Sequence, residues 1–171
     1  EDNVNSNLKL SISDRKIQVL LMFAGIFCCI AMSMPQVHIV PLCIDSGFGL
    51  AVGTEILSFM LFAAVTSRVL FGFLSDKIGP IQTLILGSSL QAISLSMFLP
   101  FDSQLSLYIV AICFGLSQGG IVPIYAVIIS KFLPENEVAE RVGLLIFATI
   151  IGMSLGGWLS GEIYDYTNSY K

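Results

Sequence analysis

Charged residues are sparse along this chain and leave long gaps. Uncharged runs extend over 17–44, 78–101, 103–130 and 142–161, and a fifth, 48–75, is interrupted only by Glu55 and Arg68. A helix needs about 20 residues to cross a bilayer, so each run is long enough to span one. The pattern predicts an all-α integral membrane protein with five transmembrane helices, over 17–44, 51–75, 79–100, 104–131 and 141–163. A secretory signal would place one short apolar core near the start. Here a polar arm, residues 1–16, precedes a run of full spanning length.

Composition agrees with the pattern. Of 171 residues, 55% are hydrophobic and 12% charged, about half the charge of a soluble domain, and the mean hydropathy is +0.86. A net charge of −4 with no basic block argues against a nucleic-acid partner. Cys28, Cys29, Cys43 and Cys113 lie in or beside the apolar runs without CxxC spacing, and His38 is the single histidine, so the cysteines read as small packing residues. No metal or cofactor is implied.

Basic residues in short connections set orientation. Lys9, Arg15 and Lys16 precede the first run, Lys77 lies between the second and third, and Lys131 and Arg141 flank the fourth connection. Asp45, Asp102, Asp165 and the terminal Lys171 mark the opposite side. The N-terminus is expected to be cytoplasmic and the C-terminal residue outside. The connections "DSGFGLAVG" and "LPFDSQ" read as tight turns, and "KFLPENEVAER" as a longer charged loop. "GFGLAVG" has GxGxxxG spacing, and the run before it is too long for the strand of a nucleotide-binding loop.

Pro35 lies 18 residues after Ile17, and Pro123 lies 19 after Gln104. Paired interruptions at matching depth are the mark of inverted repeats in transporters. Five helices are an odd number for such repeats, so the chain reads as part of a larger architecture.

One stretch, "SRVLFGFLSDKIGP", concentrates the candidate chemistry. Arg68 is eight residues before Asp76, about 12 Å along a helix, and so reaches towards the bilayer interior. A charge at that depth faces a cavity or a partner, or bends its head back to the phosphates as an anchor. Its forked guanidinium suits a carboxylate. Gly72, Asp76, Lys77 and Gly79 follow at the end of the same run: the glycines suit close helix approach and a turn without a Cβ, and Asp76 suits either a solvated loop or a latch on a helix N-terminus.

"RVLFGFLSDKIG" resembles the loop motif of the major facilitator superfamily, in the copy between its eighth and ninth helices. "MPQVHIVPLCIDSG", "GLSQGGIVPIYAVIISKFLPE" and "RVGLLIFATIIGMSLGGWLSGEIYDYTNSY" resemble its seventh, tenth and eleventh helices. The combination is most similar to the bacterial monocarboxylate-transporter-like and oxalate/formate-antiporter-like branch. The resemblance implies a multi-pass protein of the plasma (inner) membrane. Residues 1–16 would end a central loop, and 17–171 would form helices seven to eleven of a six-helix C-terminal half of a major facilitator fold. The twelfth helix and the N-terminal six-helix half would lie outside this sequence. Pro80 and Ile81 stand where many copies of the motif carry a basic pair.

The same resemblance implies that Asp76 latches onto the N-terminal half, that Arg141 meets that half's own loop, and that Arg68 binds a substrate carboxylate or couples protons. Relatives of the oxalate/formate type add a lysine in the eleventh helix, and 142–163 contain none. One positive charge fits a monoanion better than a dianion.

His38, between Pro35 and Pro41, suits a proton relay or a hydrogen bond to a carbonyl that a proline leaves unpaired. Gln36, a further substrate-binding candidate, is two residues away, about 200° round the helix, so the two face one cavity only if the proline kink rotates them. Gln118 and Tyr125, seven apart, share a face with Val122 and are the neutral cavity candidates, with an interhelical hydrogen bond as the alternative for Gln118. Gly115 with Gly119, Gly152 with Gly156 and Gly157 with Gly161 have the spacing of close helix contacts. Glu55 and Glu162 read as interfacial acids.

Three functions remain to be compared. The first is a secondary active transporter of a small organic anion, a monocarboxylate, by alternating access with a proton as the candidate coupled ion. A major facilitator member for another small solute is its variant. The second is an intramembrane enzyme, which the sequence disfavours: "GWLSG" lacks the rhomboid-type glycine, and neither GxGD nor HExxH occurs. The third is a non-transporting membrane subunit or fragment.

Overall fold

A computed structural model describes residues 13–100 and 103–167. Six helices follow in order: α1 (Asp14–Asp45), α2 (Gly49–Ile78), α3 (Pro80–Ser96), α4 (Gln104–Gln118), α5 (Ile121–Phe132) and α6 (Val138–Thr167). A 3-10 turn, Glu135–Glu137, precedes α6. The expectations for Lys9, Asp102 and Lys171 fall outside the described residues.

The five apolar runs are helical, with three differences from the sequence reading. The first helix starts at Asp14, so Arg15 and Lys16 belong to it and not to the polar arm. The third ends at Ser96, and residues 97–100 form turns. Its 17 residues extend about 26 Å against a hydrocarbon core of about 30 Å. Among the described residues, four segments are therefore long and apolar enough to cross a membrane: 14–45, 49–78, 104–132 and 135–167. The charged loop expected over 131–141 is mostly helical, because Glu137 pairs with Arg141 one turn on, and Glu140 sits in the first turn of α6, where the helix dipole favours a carboxylate.

The fourth span is broken. α4 ends at Gln118 and α5 begins at Ile121. Pro123 has no N–H to give the carbonyl four residues back, Gly119, and its ring crowds that carbonyl. The interruption thus appears four residues before the proline. By contrast, α1 runs unbroken through Pro35 and Pro41. The expected pair of matching interruptions is not present, since only the fourth span is divided.

That span is also the centre of the bundle. Its most apolar window is 61% buried inside the chain, against 28–33% for the other three. α4 packs against α2 and α3, α5 against α3 and α6, and α1 against α6 and α2. The core divides at the break. Ile39, Cys43, Ile56 and Met60 pack around Leu107 and Phe114 of α4, whereas Leu21, Phe71, Leu145 and the buried face of α5 form a second cluster. Phe23, Phe27, Phe62, Phe73 and Trp158 are exposed on the outer helices.

Glycine makes the closest approaches possible. A side chain at Gly115 would overlap the Met60 carbonyl, one at Gly119 the Ala64 backbone, and those at Gly152 and Gly156 the Ile26 and Ile30 carbonyls. Two seams result, α4 on α2 and α6 on α1. Gly157 and Gly161 do not belong to them: a methyl group there would meet Val37 and His38 at 3.5 and 3.8 Å, which is ordinary contact.

Candidate functional site

Ser67 and Arg68 are consecutive on α2, about 100° apart, and so face different neighbours. Ser67 is buried and its hydroxyl donates to the Leu116 carbonyl at 2.6 Å. That carbonyl lies in the last turn of α4, where the break removes helical donors. Arg68 lies at the edge of a cavity of about 240 Å³ between α2, α5 and α6. The cavity is walled by Val122, Pro123 and Ala126 from α5 and by Val142, Leu145, Ile146 and Thr149 from α6. Among the described residues no carboxylate pairs with Arg68; the ion pair there is Arg141 with Glu137.

The other candidates lie away from this cavity. The Gln36 side-chain amide donates to Gln118 Oε1 at 3.0 Å, joining α1 to the end of α4. Gln118 is 1% exposed, and its own Nε2 has no hydrogen-bond partner. Tyr125 is buried in a core cluster against which Cys28 of α1 packs. The Cys28 thiol donates to Gln91 Oε1 at 3.0 Å, and the Gln91 amide returns a bond to the Cys28 carbonyl at 3.1 Å. Cys28 is thus part of a polar pair joining α1 to α3, which the reading of the cysteines as packing residues missed. Gln91 itself is an amide inside an uncharged run, and that was its available signal.

Gln118 and Tyr125 do share a direction, both towards α1. Gln36 and His38 diverge, as their angular separation requires. His38 Nε2 lies 3.1 Å from the Gly157 carbonyl on α6. This places one partner of the imidazole on a neighbouring helix. At the same end of the bundle, Tyr108 donates to Glu55 at 2.7 Å and Tyr164 to Asp45 at 2.5 Å.

The loop motif sits at the opposite end. Gly79 has φ +91°, a conformation that excludes a Cβ at little cost only for glycine. Its N–H closes α2 on the Ser75 carbonyl, and its own carbonyl accepts the Thr83 N–H that opens α3. Pro80 then takes the first helical position, where a missing N–H costs nothing. A Cβ at Gly72 would meet nothing within 4 Å, so no close approach is made there among the described residues. Asp76 and Lys77 are exposed and form no ion pair among the described residues. Arg141 donates to Glu137 through Nε at 2.9 Å, and its carbonyl accepts from Gln18 at 3.1 Å. No group of three metal-ligating side chains occurs among the described residues.

The sequence profile of the Major Facilitator Superfamily matches residues 14–170. The chain belongs to that superfamily. It is therefore placed among membrane transporters and not among enzymes. It is 27% identical over 139 residues to monocarboxylate transporter 13 of Rattus norvegicus, a match covering 80% of this chain and 32% of that protein. It is 29% identical over 157 residues to the MFS-type transporter opdF of Penicillium oxalicum, covering 87% of this chain and 37% of the relative. To the MFS transporter asaE of Aspergillus flavus it is 24% identical over 155 residues, covering 87% and 34%. The chain spans about a third of the length of these relatives.

Proposed function

We propose that the chain is the C-terminal part of a secondary transporter that moves a small organic monoanion, a monocarboxylate, across the membrane by alternating access. The observation that carries this reading is Arg68: a guanidinium within a membrane-spanning helix, with no carboxylate partner among the described residues, at the edge of a cavity whose walls are apolar but for Thr149. A charge in such a place is costly unless it meets a partner, and a guanidinium binds a carboxylate through two parallel hydrogen bonds. The similarity to a protein named as a monocarboxylate transporter supports the same class of substrate.

In this proposal the five apolar segments are helices seven to eleven of the superfamily, and an N-terminal six-helix half and a twelfth helix complete the transporter. The N-terminus is cytoplasmic and the membrane is the plasma (inner) membrane. Asp76, with Gly72, Lys77 and Gly79, latches onto the N-terminal half in one state, and Arg141 meets that half's own loop. Gln36 and Gln118 join α1 to the broken span on a face away from the Arg68 cavity, with Tyr125 on the same side, and in this proposal they support the substrate site without lining it. His38 is the candidate proton-responsive group.

The test is uptake of labelled formate, lactate, pyruvate, short-chain fatty acids and oxalate into vesicles holding the full-length protein, with Arg68→Gln and Arg68→Lys compared across pH. Uptake of a monocarboxylate is expected to fall at least about tenfold in both variants, because lysine cannot reproduce the paired donors. Normal uptake in both variants, with equal protein in the membrane, would leave Arg68 as a lipid-facing anchor and remove the reading.

A further inference from the structure

We infer that the Arg68 site selects monocarboxylates with a compact apolar tail, branched aliphatic acids in particular, over hydroxy acids and dicarboxylates. This rests on the reading of Arg68 as an anion site and adds what the rest of the cavity recognises. Within this chain the cavity holds about 240 Å³, less than the roughly 300–1,000 Å³ of drug-sized pockets, so the part of a ligand seated in it is small. The cavity wall opposite the guanidinium carries one polar side chain, Thr149. Its hydroxyl proton already goes to the Ile146 carbonyl at 2.7 Å, and the residue is 3% exposed. The hydroxyl next to Arg68, that of Ser67, is likewise committed, to Leu116.

A carboxylate on Arg68 would therefore direct its remaining atoms against Val122, Pro123 and Ala126 on one side and Leu145 and Ile146 on the other. A second carboxylate or an α-hydroxyl placed there loses water and meets no donor or acceptor on this face, which is unfavourable. A methyl group in the same position gains apolar contact. The comparison is cleanest between lactate and 2-methylpropanoate, which differ by a hydroxyl in place of a methyl group. An apolar pocket separates such isosteres by about 10- to 100-fold.

The experiment is calorimetric titration of the purified full-length protein with 2-methylpropanoate, lactate and succinate, repeated on Arg68→Gln and Ile146→Asn. Ile146 lines the cavity; unchanged thermal unfolding checks that Ile146→Asn folds. The expected result is Arg68-dependent binding, with 2-methylpropanoate at least about tenfold tighter than lactate and succinate and this preference reduced severalfold in Ile146→Asn. If lactate or succinate binds as tightly, and still requires Arg68, the apolar-tail inference is overturned while the anion site stands. A preference that survives intact in Ile146→Asn also overturns it, since the selectivity then arises elsewhere. If no acid shows Arg68-dependent binding, the anion-site reading falls, and this inference falls with it.

Discussion

Replacing Gly115 by alanine tests whether the helices touch as closely as the seams require. The new methyl group would overlap the carbonyl of Met60 and crowd the Ala63 side chain, so α4 and α2 must separate or bend. Overpacking of this kind costs about 1–3 kcal/mol. Within α4, alanine also relieves the conformational penalty of a helical glycine, about 0.5–1 kcal/mol. The net loss at Gly115 is then between about 0 and about 2.5 kcal/mol.

Gly143 supplies the control. It lies in α6 with nothing within 4 Å of a Cβ, so Gly143→Ala retains only the favourable helical term and is expected to stabilise by about 0.5–1 kcal/mol. The helical term is common to both variants and cancels in their difference, which isolates the overlap at about 1–3 kcal/mol. Thermal unfolding of the full-length protein in one detergent reads both variants, and Gly152→Ala, which meets the Ile26 carbonyl, repeats the test on the other seam. If Gly115→Ala and Gly143→Ala agree within about 0.5 kcal/mol, the usual spread of neutral substitutions, close packing of α4 on α2 is refuted.

Three further outcomes are expected from the same unfolding assay. Ser67→Ala leaves the Leu116 carbonyl without its 2.6 Å donor and should cost about 1–3 kcal/mol, whereas Ser58→Ala, whose hydroxyl only bonds back to Thr54 in its own helix, should change stability by less than about 0.5 kcal/mol. Gln118→Leu strands the Gln36 amide and should destabilise by about 1 kcal/mol or more, but Gln36→Leu with Gln118→Leu should return near the parent, because replacing both partners removes the unmet polar group; additive losses would exclude the pairing. Gly79→Ala forces a side chain into φ +91° and should cost at least about 1 kcal/mol, seen as a lower unfolding temperature than that of Gly143→Ala, whose site is open.

Hydrophobic runs determined which segments become helices but not how far each extends. The third run contains no charge from 78 to 101, yet its helix ends at Ser96, because apolar character is shared by a helix and by the turn that follows it. Arg68 was legible as a lone charge in an apolar run. Its neighbour Ser67 was not, because serine in a spanning helix commonly bonds back to its own backbone, as Ser94, Ser96 and Ser154 do here. Only the position of the broken span beside α2 gives Ser67 a different acceptor. The polar pairs were half legible for the same reason: a buried glutamine needs a partner, but which helix supplies it is a matter of packing.

The break in the fourth span is the instructive case, because the proline was visible and its consequence was placed on the proline itself. The steric conflict acts on the carbonyl four residues earlier, which is why the helix is lost at Gly119 and Gly120. Those two residues keep φ, ψ of −61°, −32° and −86°, −11°, close to right-handed helical values. Helical hydrogen bonding is therefore interrupted while the chain keeps roughly its direction and its rotation. For that reason the seven-residue spacing from Gln118 to Tyr125 still places both on the side facing α1, as the uninterrupted period predicts. Val122 and Pro123, between them in sequence, turn to Arg68 instead. The sequence argument that grouped Val122 with Gln118 and Tyr125 counted residues along one face, but a face of about 100° per residue divides between two neighbours when the helix lies at the centre of a bundle. One broken helix thus presents amides and a phenol to α1 and an apolar wall to the guanidinium, and the two sets of candidates occupy separate faces.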